Sequence, residues 1–404
     1  MDTLGIAIIG TGQRGLNRHA ATFLEQGAGS VEIRGLCDTN ADNLKLAAER
    51  YPEARYVSPD YRAVIAREDI DAVVVATANC NHVEPSVFAF EHGKNVFCEK
   101  PLATTMAGCH AILEAADASG KVLEVGFVLR YAPVFARIKE LIAGGRIGKP
   151  LLFHWNIQYG GGIHYFRTWH RLKEYSGGLN IEKACHDYDL LNWYFQEVPD
   201  RVIMWSGLNK FIPGTKTGHR CDACDEECVD RIPDMRGNVT RSTPDGNVDD
   251  GTSTVGCFYN TPKDIGDHYV GMLEYASGLR GTVQLCFYPS TLYGRQFDII
   301  GSDGEICGNA HEACLEVHSR DPSVAPEYID LKAESTGGHG GGDWRQVRRF
   351  LEAVRNGRDS LATGEDGFRA VAVGSAMERS VEEDAPVSVA DLIPPEMRSV
   401  RSPA

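Results

Sequence analysis

The chain has 404 residues, enough for two to three domains of about 150 residues and for a large core. Hydrophobic residues make up 43% and charged residues 24%, and the net charge of −15 disfavours a general nucleic-acid surface, which needs a basic face. No run approaches about 18 uninterrupted apolar residues, so no membrane-crossing helix is expected.

Residues 1–6 carry no basic leader or cleavage signature and run directly into a strand pattern, so a cytoplasmic location is expected. The first half then alternates short β runs with helical stretches. Strands are predicted at 4–9, 31–36, 72–76 and 95–99, each apolar, β-branched and bounded by turn residues. Helices are predicted at 15–26, 42–50, 84–92 and 105–119. Alternation of this kind means βαβ units and a parallel sheet. A further strand at 121–129 and a helix at 132–143 lead out of the first domain. After the turn at 144–150 the strands lengthen: 151–159, 202–208, 253–259, 269–275, 279–288 and 295–300. Ser277-Gly278 gives a hairpin signal. Residues 210–250 read as an irregular insertion, and helices at 344–356 and 368–383 close the chain. The fold class is α/β, with a doubly wound parallel sheet in residues 1–125 and an α+β domain with a large, mostly antiparallel open sheet in residues 126–404.

Three motifs carry chemistry. Gly10-Thr11-Gly12-Gln13-Arg14-Gly15 is GxGxxG, directly after a strand and opening a helix. Its glycines allow a tight turn and close approach of a pyrophosphate to a helix N-terminus. The next strand ends at Asp38, 23 residues after Gly15, where a carboxylate binds ribose hydroxyls and repels a 2′-phosphate. No arginine follows in Asp38-Thr39-Asn40, so NAD is favoured over NADP. Glu99-Lys100-Pro101 ends another strand, and ligands of open parallel sheets bind at the carboxyl ends of strands. The residue before a proline is held extended, and that bond can be cis. Thirdly, Gly177-Gly178 precedes a helix for which Asn180 is the expected N-cap. Glu182, His186 and Asp189 fall at i, i+4 and i+7 on one face, while the flanks are apolar nearly all round, so that face is expected to line a cleft.

Together these motifs resemble the Gfo/Idh/MocA family of glucose–fructose oxidoreductases and inositol dehydrogenases. The resemblance spans nearly the whole chain: GxGxxG at 10–15, E-K-P at 99–101, and G-G-x-x-x-[DE]-x-x-x-H-x-x-D ending at Asp189. It implies an NAD-dependent oxidoreductase acting on an alcohol or ketone of a sugar or polyol. Lys100 matches the family's catalytic lysine, Glu182 its active-site acid and His186 its histidine. The usual acid is aspartate, and glutamate here is a departure. Asp189 matches a position that contacts substrate hydroxyls. The resemblance adds Thr77, Asn79 and His82 from a loop beside the nicotinamide ribose, with Ala78 where proline is usual. Glu99 joins the cofactor set, as do Trp169 and Arg171 from the loop before the double glycine, and Arg130 and Tyr131 enter the substrate cleft. Each of these softer positions reads equally as site or as structure. A homodimer or homotetramer is also implied.

Two redox-neutral or non-catalytic readings stand beside this one: a sugar-modifying enzyme that keeps NAD tightly bound, and a dinucleotide or sugar sensor. The sensor reading expects a lost lysine or histidine, and both are present. Outside the shared core, His219, Cys221, Cys224 and Cys228 offer HxCx₂Cx₃C, a candidate zinc set, although free thiols or a disulfide in an irregular loop are the favoured reading. The other cysteines sit mostly singly in apolar runs, as at Cys37 and Cys98, and read as buried reduced thiols. Residues 337–342 hold five glycines around His339, and read as a hinge before a helix capped by Asp343 rather than as a substrate contact.

Overall fold

The structure, a computed structural model, describes residues 3–160, 162–218, 220, 221, 224–228, 230, 257–289, 294–357 and 360–400. Six strands, β1 (Leu4–Ile9), β2 (Val31–Cys37), β3 (Tyr56–Ser58), β4 (Ala72–Val75), β5 (Asn95–Cys98) and β6 (Leu123–Val125), form one sheet in the order β3-β2-β1-β4-β5-β6. Every pairing is parallel, because each crossover is helical. The order reverses between β1 and β4, and a crevice opens there at the strand carboxyl ends. The first crossover starts as a π-helical segment, Gly15–Ala20, and continues as the α-helix Ala21–Gly27.

The second sheet has nine strands: β7 (Pro150–Gln158), β8 (Arg201–Gly207), β9 (His268–Glu274), β10 (Arg280–Cys286), β11 (Gly294–Gly301), β12 (Gly304–Asn309), β13 (Cys314–Ser319), β14 (Glu327–Asp330) and β15 (Val387–Ser388). Their order is β14-β13-β12-β11-β7-β10-β9-β8-β15, antiparallel throughout except for β7 with β10. One face is buried through Phe153, Trp155, Met204, Tyr269 and Leu285. The other leaves Leu152, Trp205, Val270 and Met272 exposed. This alternation is the period-2 signature of a half-covered sheet.

Several expectations change. The strand expected at 121–129 ends at Val125 and gives way to a 3-10 turn, Val128–Tyr131. Of the strand expected at 253–259, residues 253–256 lie outside the described residues, and Cys257–Tyr259 forms a turn. The helix Gly342–Asn356 returns to the first sheet. Phe350 meets Phe23 and Phe97 edge-on, so part of the C-terminal segment completes the core of the N-terminal domain. Asp343 does not cap that helix; Gly341 does, in a left-handed conformation.

The helix carrying the His186 motif is also different. It is broken into Leu179–Glu182 and Cys185–Phe195, and Gly178 rather than Asn180 precedes the first piece. Asn180 is buried instead, donating from its side chain to Glu378 at 3.0 Å and accepting from the Tyr188 hydroxyl at 2.7 Å.

Asp189, on the second piece, turns into the core. Both its oxygens accept from Arg130, at 2.6 and 2.8 Å, and Arg130 also reaches Asp366 at 3.1 Å and the Leu361 carbonyl at 2.8 Å. Arg130 and Asp189 are each 1% exposed. Burial alone would lower the proton affinity of the guanidinium, but the two carboxylates outweigh it and hold the charge. Tyr131 is likewise committed, donating to the buried Glu124 at 2.6 Å. Removing one member of such a buried set leaves the others unpaired. Arg130→Met is therefore expected to destabilise the protein by about 3–5 kcal/mol in denaturant unfolding. A loss within about 0.5 kcal/mol, the range of neutral surface changes, would contradict this account.

Candidate active site

A cleft of about 850 Å³ runs from the glycine-rich turn to the loops that precede the double glycine. At its nucleotide end, Gly10 has φ +92°, and a side chain there would collide with the Ala76 carbonyl. A Cβ on Gly15 would strike the Gly10 carbonyl at 1.9 Å, so this glycine closes the turn and does not line the cleft. Gly12 instead faces open space, with nothing within 4 Å of its Cβ position. The backbone is thus bare where a pyrophosphate approaches the start of the helix. Asp38 lines the same end. Its carboxylate accepts from the Thr11 amide at 2.8 Å, the Thr11 hydroxyl at 3.1 Å and the Asn40 amide at 2.8 Å. These donors fix its direction, and the residues present fit a dinucleotide with a free ribose 2′-hydroxyl.

Glu99, at the end of β5, binds the glycine turn to the strand. Its Oε1 accepts from Arg14 Nη2 at 2.6 Å and meets His19 Nε2 at 2.6 Å, and its Oε2 accepts from the Lys100 amide at 3.1 Å. Arg14 also reaches Asp343 at 3.1 Å, and His339 meets Asp343 at 3.0 Å. His339 therefore reaches the cleft wall, where the sequence favoured a plain hinge. Gln13, Thr77 and Trp169 line the cleft too, and Trp169 stacks on His170 with ring centres 3.7 Å apart.

At the chemical end, Lys100 Nζ donates to Glu182 Oε1 at 2.9 Å and to the Glu182 carbonyl at 2.8 Å. The peptide bond from Lys100 to Pro101 is cis. Asn79 donates to the other Glu182 oxygen at 2.6 Å. His82 secures the turn after the strand, with Nδ1 at 2.7 Å from the Pro101 carbonyl. Burial on its own disfavours the charged Lys100, yet Glu182 outweighs it and raises the proton affinity of the ammonium. His186 is buried against Phe127, and its Nδ1 has no hydrogen-bond partner among the described residues. Burial first, and then the charges of Lys100, Arg295 and Lys183, push its pKa well below the ordinary 6.5. The site thus pairs a charged hydrogen-bond donor, Lys100, with a neutral imidazole, which is the division of labour that proton transfer to and from a hydroxyl needs.

Lys100, Glu182 and His186 therefore meet, with Asp38, Thr77, Asn79, His82 and Glu99 in the same cleft. Arg130, Tyr131, Asp189 and Arg171 do not line it. Arg171 is buried, donating to the Pro262 carbonyl at 2.8 Å. The sequence missed Lys183, His164 and Tyr165, which line the cleft with His170 from the expected 169–171 loop. Lys183 was legible as a charge inside an otherwise apolar helical motif; the others lie in an irregular loop without periodicity. For the cysteine cluster, His219 lies outside the described residues. Cys221, Cys224 and Cys228 form no common ligand set among the described residues, so the zinc reading has no support.

Glu99 gives a pH test. Burial alone would raise its pKa, but Arg14, His19 and Lys100 outweigh it, and the carboxyl is held well below 4.5. Its contribution is complete above about pH 4.5 and is lost as pH falls toward the lowered folded value. Glu99→Gln is expected to lower Tm at neutral pH and to flatten the decline of Tm below pH 4.5. An unchanged acid decline would show that Glu99 does not carry it.

Known proteins fall in line with this architecture. A profile described as the oxidoreductase family's NAD-binding Rossmann fold matches residues 4–127, and one described as its C-terminal alpha/beta domain matches residues 139–389. The oxidoreductase YteT of Bacillus subtilis (strain 168) is 28% identical across 96% of this chain and 98% of its own length. An inositol 2-dehydrogenase from Gluconacetobacter diazotrophicus is 39% identical, over 52% of this chain and 60% of that protein. Among solved structures, levoglucosan dehydrogenase in complex with NADH and levoglucosan superposes with a TM-score of 0.77 across 96% of this chain and all of that one. At 20% identity that likeness shows the shared fold. With both of its domains matched in order and the lysine, acid and histidine gathered in the cleft between them, the chain belongs to the Gfo/Idh/MocA family of NAD-binding oxidoreductases.

Proposed function

We propose that this protein is an NAD-dependent dehydrogenase that interconverts a secondary alcohol and a ketone on a sugar, inositol or glycoside. The convergence of Lys100, Glu182 and His186 at the end of the cleft away from Asp38 carries the reading. The inositol 2-dehydrogenase and levoglucosan dehydrogenase relatives support a polyhydroxylated substrate. NAD, when bound, supplies the redox partner that exchanges a hydride with the substrate carbon.

The chain's own residues handle the proton and the oxygen. Neutral His186 accepts the proton of the substrate hydroxyl during oxidation and returns it during reduction. Lys100 hydrogen-bonds the same oxygen and stabilises the negative charge that develops there. Glu182 keeps the ammonium charged and directed, with Asn79 bracing its other oxygen. Gly10, Gly12, Gln13 and Arg14 hold the pyrophosphate end, while Asp38 takes the adenosine ribose.

Two measurements test this. Because Asp38 sets a carboxylate where a 2′-phosphate would lie, NAD should bind at least about tenfold more tightly than NADP, or about 1.4 kcal/mol. Fluorescence titration of both dinucleotides checks it, and equal or tighter NADP binding would overturn the cofactor assignment. In turnover, monitored as NADH formation over inositols, aldoses and glycosides, His186→Ala and Lys100→Ala should each lower kcat by about 10²-fold or more with NAD affinity retained. Because His186 is held well below its ordinary pKa, the rate of oxidation should be level above about pH 6.5 and fall only on the acid side. Near-normal turnover in either variant would show the roles to be misassigned, and product without net NADH would favour the redox-neutral chemistry.

A further inference from the structure

Lys183 lines the cleft without a carboxylate partner among the described residues. It follows Glu182 at the break between the two short helices and lines the cavity wall with Tyr159, His164, Tyr165 and His170. Its ammonium lies 3.7 Å from the centre of the Tyr159 ring. Among the described residues it has neither a hydrogen bond nor an ion pair. The two nearby carboxylates are already engaged. Glu182 is shared by Lys100 and Asn79, and Asp187 by Arg295, at 2.5 and 3.0 Å, and Trp155, at 2.7 Å. Around Lys183, three cations (Lys100, Lys183 and Arg295) share two carboxylates, Glu182 and Asp187, and Lys183 is the one left without a carboxylate of its own.

A neutral polyol would leave that ammonium uncompensated beside two other cations, whereas an anionic substituent would form a charge-assisted hydrogen bond with it. One ammonium without a carboxylate partner matches a single carboxylate; a phosphate monoester carries about −1.5 to −2 at neutral pH and would call for further donors. We propose that Lys183 receives the carboxylate of an acidic sugar, such as a uronate or aldonate, and so selects it over the neutral sugar of the same stereochemistry. This deepens the dehydrogenase reading and rests on it for the position of the sugar ring.

The electrostatics agree. Burial, with repulsion from Arg295 and Lys100 only partly offset by Asp187 and Glu182, lowers the Lys183 pKa to about 7. Lysine without a partner is thus half neutral at that pH, and a bound carboxylate would restore its proton. Carboxylate binding above pH 7 should therefore take up a proton, and the preference for the acidic sugar should weaken between pH 6 and pH 9.

The test uses the NAD-loaded enzyme and matched pairs: glucose with glucuronate, galactose with galacturonate, sorbitol with gluconate, and glucose 6-phosphate as a further arm. Calorimetry in buffers of differing ionisation enthalpy reads both affinity and proton uptake. At least one carboxylated member should bind about tenfold or more tightly than its neutral partner. That ratio should collapse toward one in Lys183→Met and be largely kept in Lys183→Arg, with NAD affinity reporting an intact fold. Neutral or phosphorylated sugars binding as well as the acids, no acid binding at millimolar concentration, or a ratio untouched by Lys183→Met would each overturn the assignment. NADH formation is read in parallel. A carboxylate preference that depends on Lys183, without NADH from any member, would reject the dehydrogenase reading while leaving the acid subsite standing.

Discussion

Glu182 ties the two domains together across the cleft. One oxygen and its main-chain carbonyl hold the ammonium of Lys100, which arrives from the end of β5, and the other oxygen takes the amide of Asn79, from the loop after β4. A carboxylate that accepts from two strand ends of one domain while belonging to a helix of the other sets the width of the cleft between them. It also sets protonation. With Glu182 in place Lys100 stays charged, and a charged Lys100 helps to keep His186 neutral. Glu182 spans both partners from the end of a four-residue helix.

A second constraint lies behind the first. The ion cluster Arg14–Glu99–His19, extended through Asp343, joins the glycine turn to β5 and to the helix that returns from the C-terminal segment. The cluster Arg130–Asp189–Asp366 joins the segment that leaves the first domain to the two helices beneath the second sheet. The second cluster is buried and the first is buried except at the half-buried Arg14, and both use charges where apolar packing would be expected. Their worth lies in direction more than in net stability, since a buried pair gains little over hydrophobic residues of equal volume but tolerates no loss of a member. The glycine turn and the helix that carries His186 are thereby each held in one orientation.

The βαβ alternation, the glycine turn, Asp38 at the end of the second strand and Lys100 at the end of the strand at 95–99 are legible in the chain itself, whereas the three-residue β3 is not. The legible features are local patterns, in which the residue type at a turn is dictated by backbone geometry and by the strand that precedes it. The strands β12 and β13 were missed because Gly304, Gly308 and Ser319 dilute a short alternation whose buried side chains are Ile306, Leu315 and Val317. The partly polar edge strand β14, with Tyr328 and Asp330 exposed and Glu327 beside Ile329 on the other face, leaves still less hydrophobic signal.

Tertiary structure alone decided where the charges point. The helix Cys185–Phe195 is buried on all sides, so its sequence holds no solvent face from which to orient the polar residues. Helical spacing put Asp189 with Glu182 and His186, yet the helix breaks at Lys183–Ala184, and Asp189 finds Arg130, 59 residues away, instead of the cleft. The same break turns Lys183 toward Tyr159. The return of Phe350 to Phe23 and Phe97 likewise depends on contacts across more than 250 residues, which no local period encodes. Polar side chains in an apolar interior go wherever a partner of opposite charge is brought to them, and that partner is chosen by the packing of distant elements rather than by neighbouring residues in the chain.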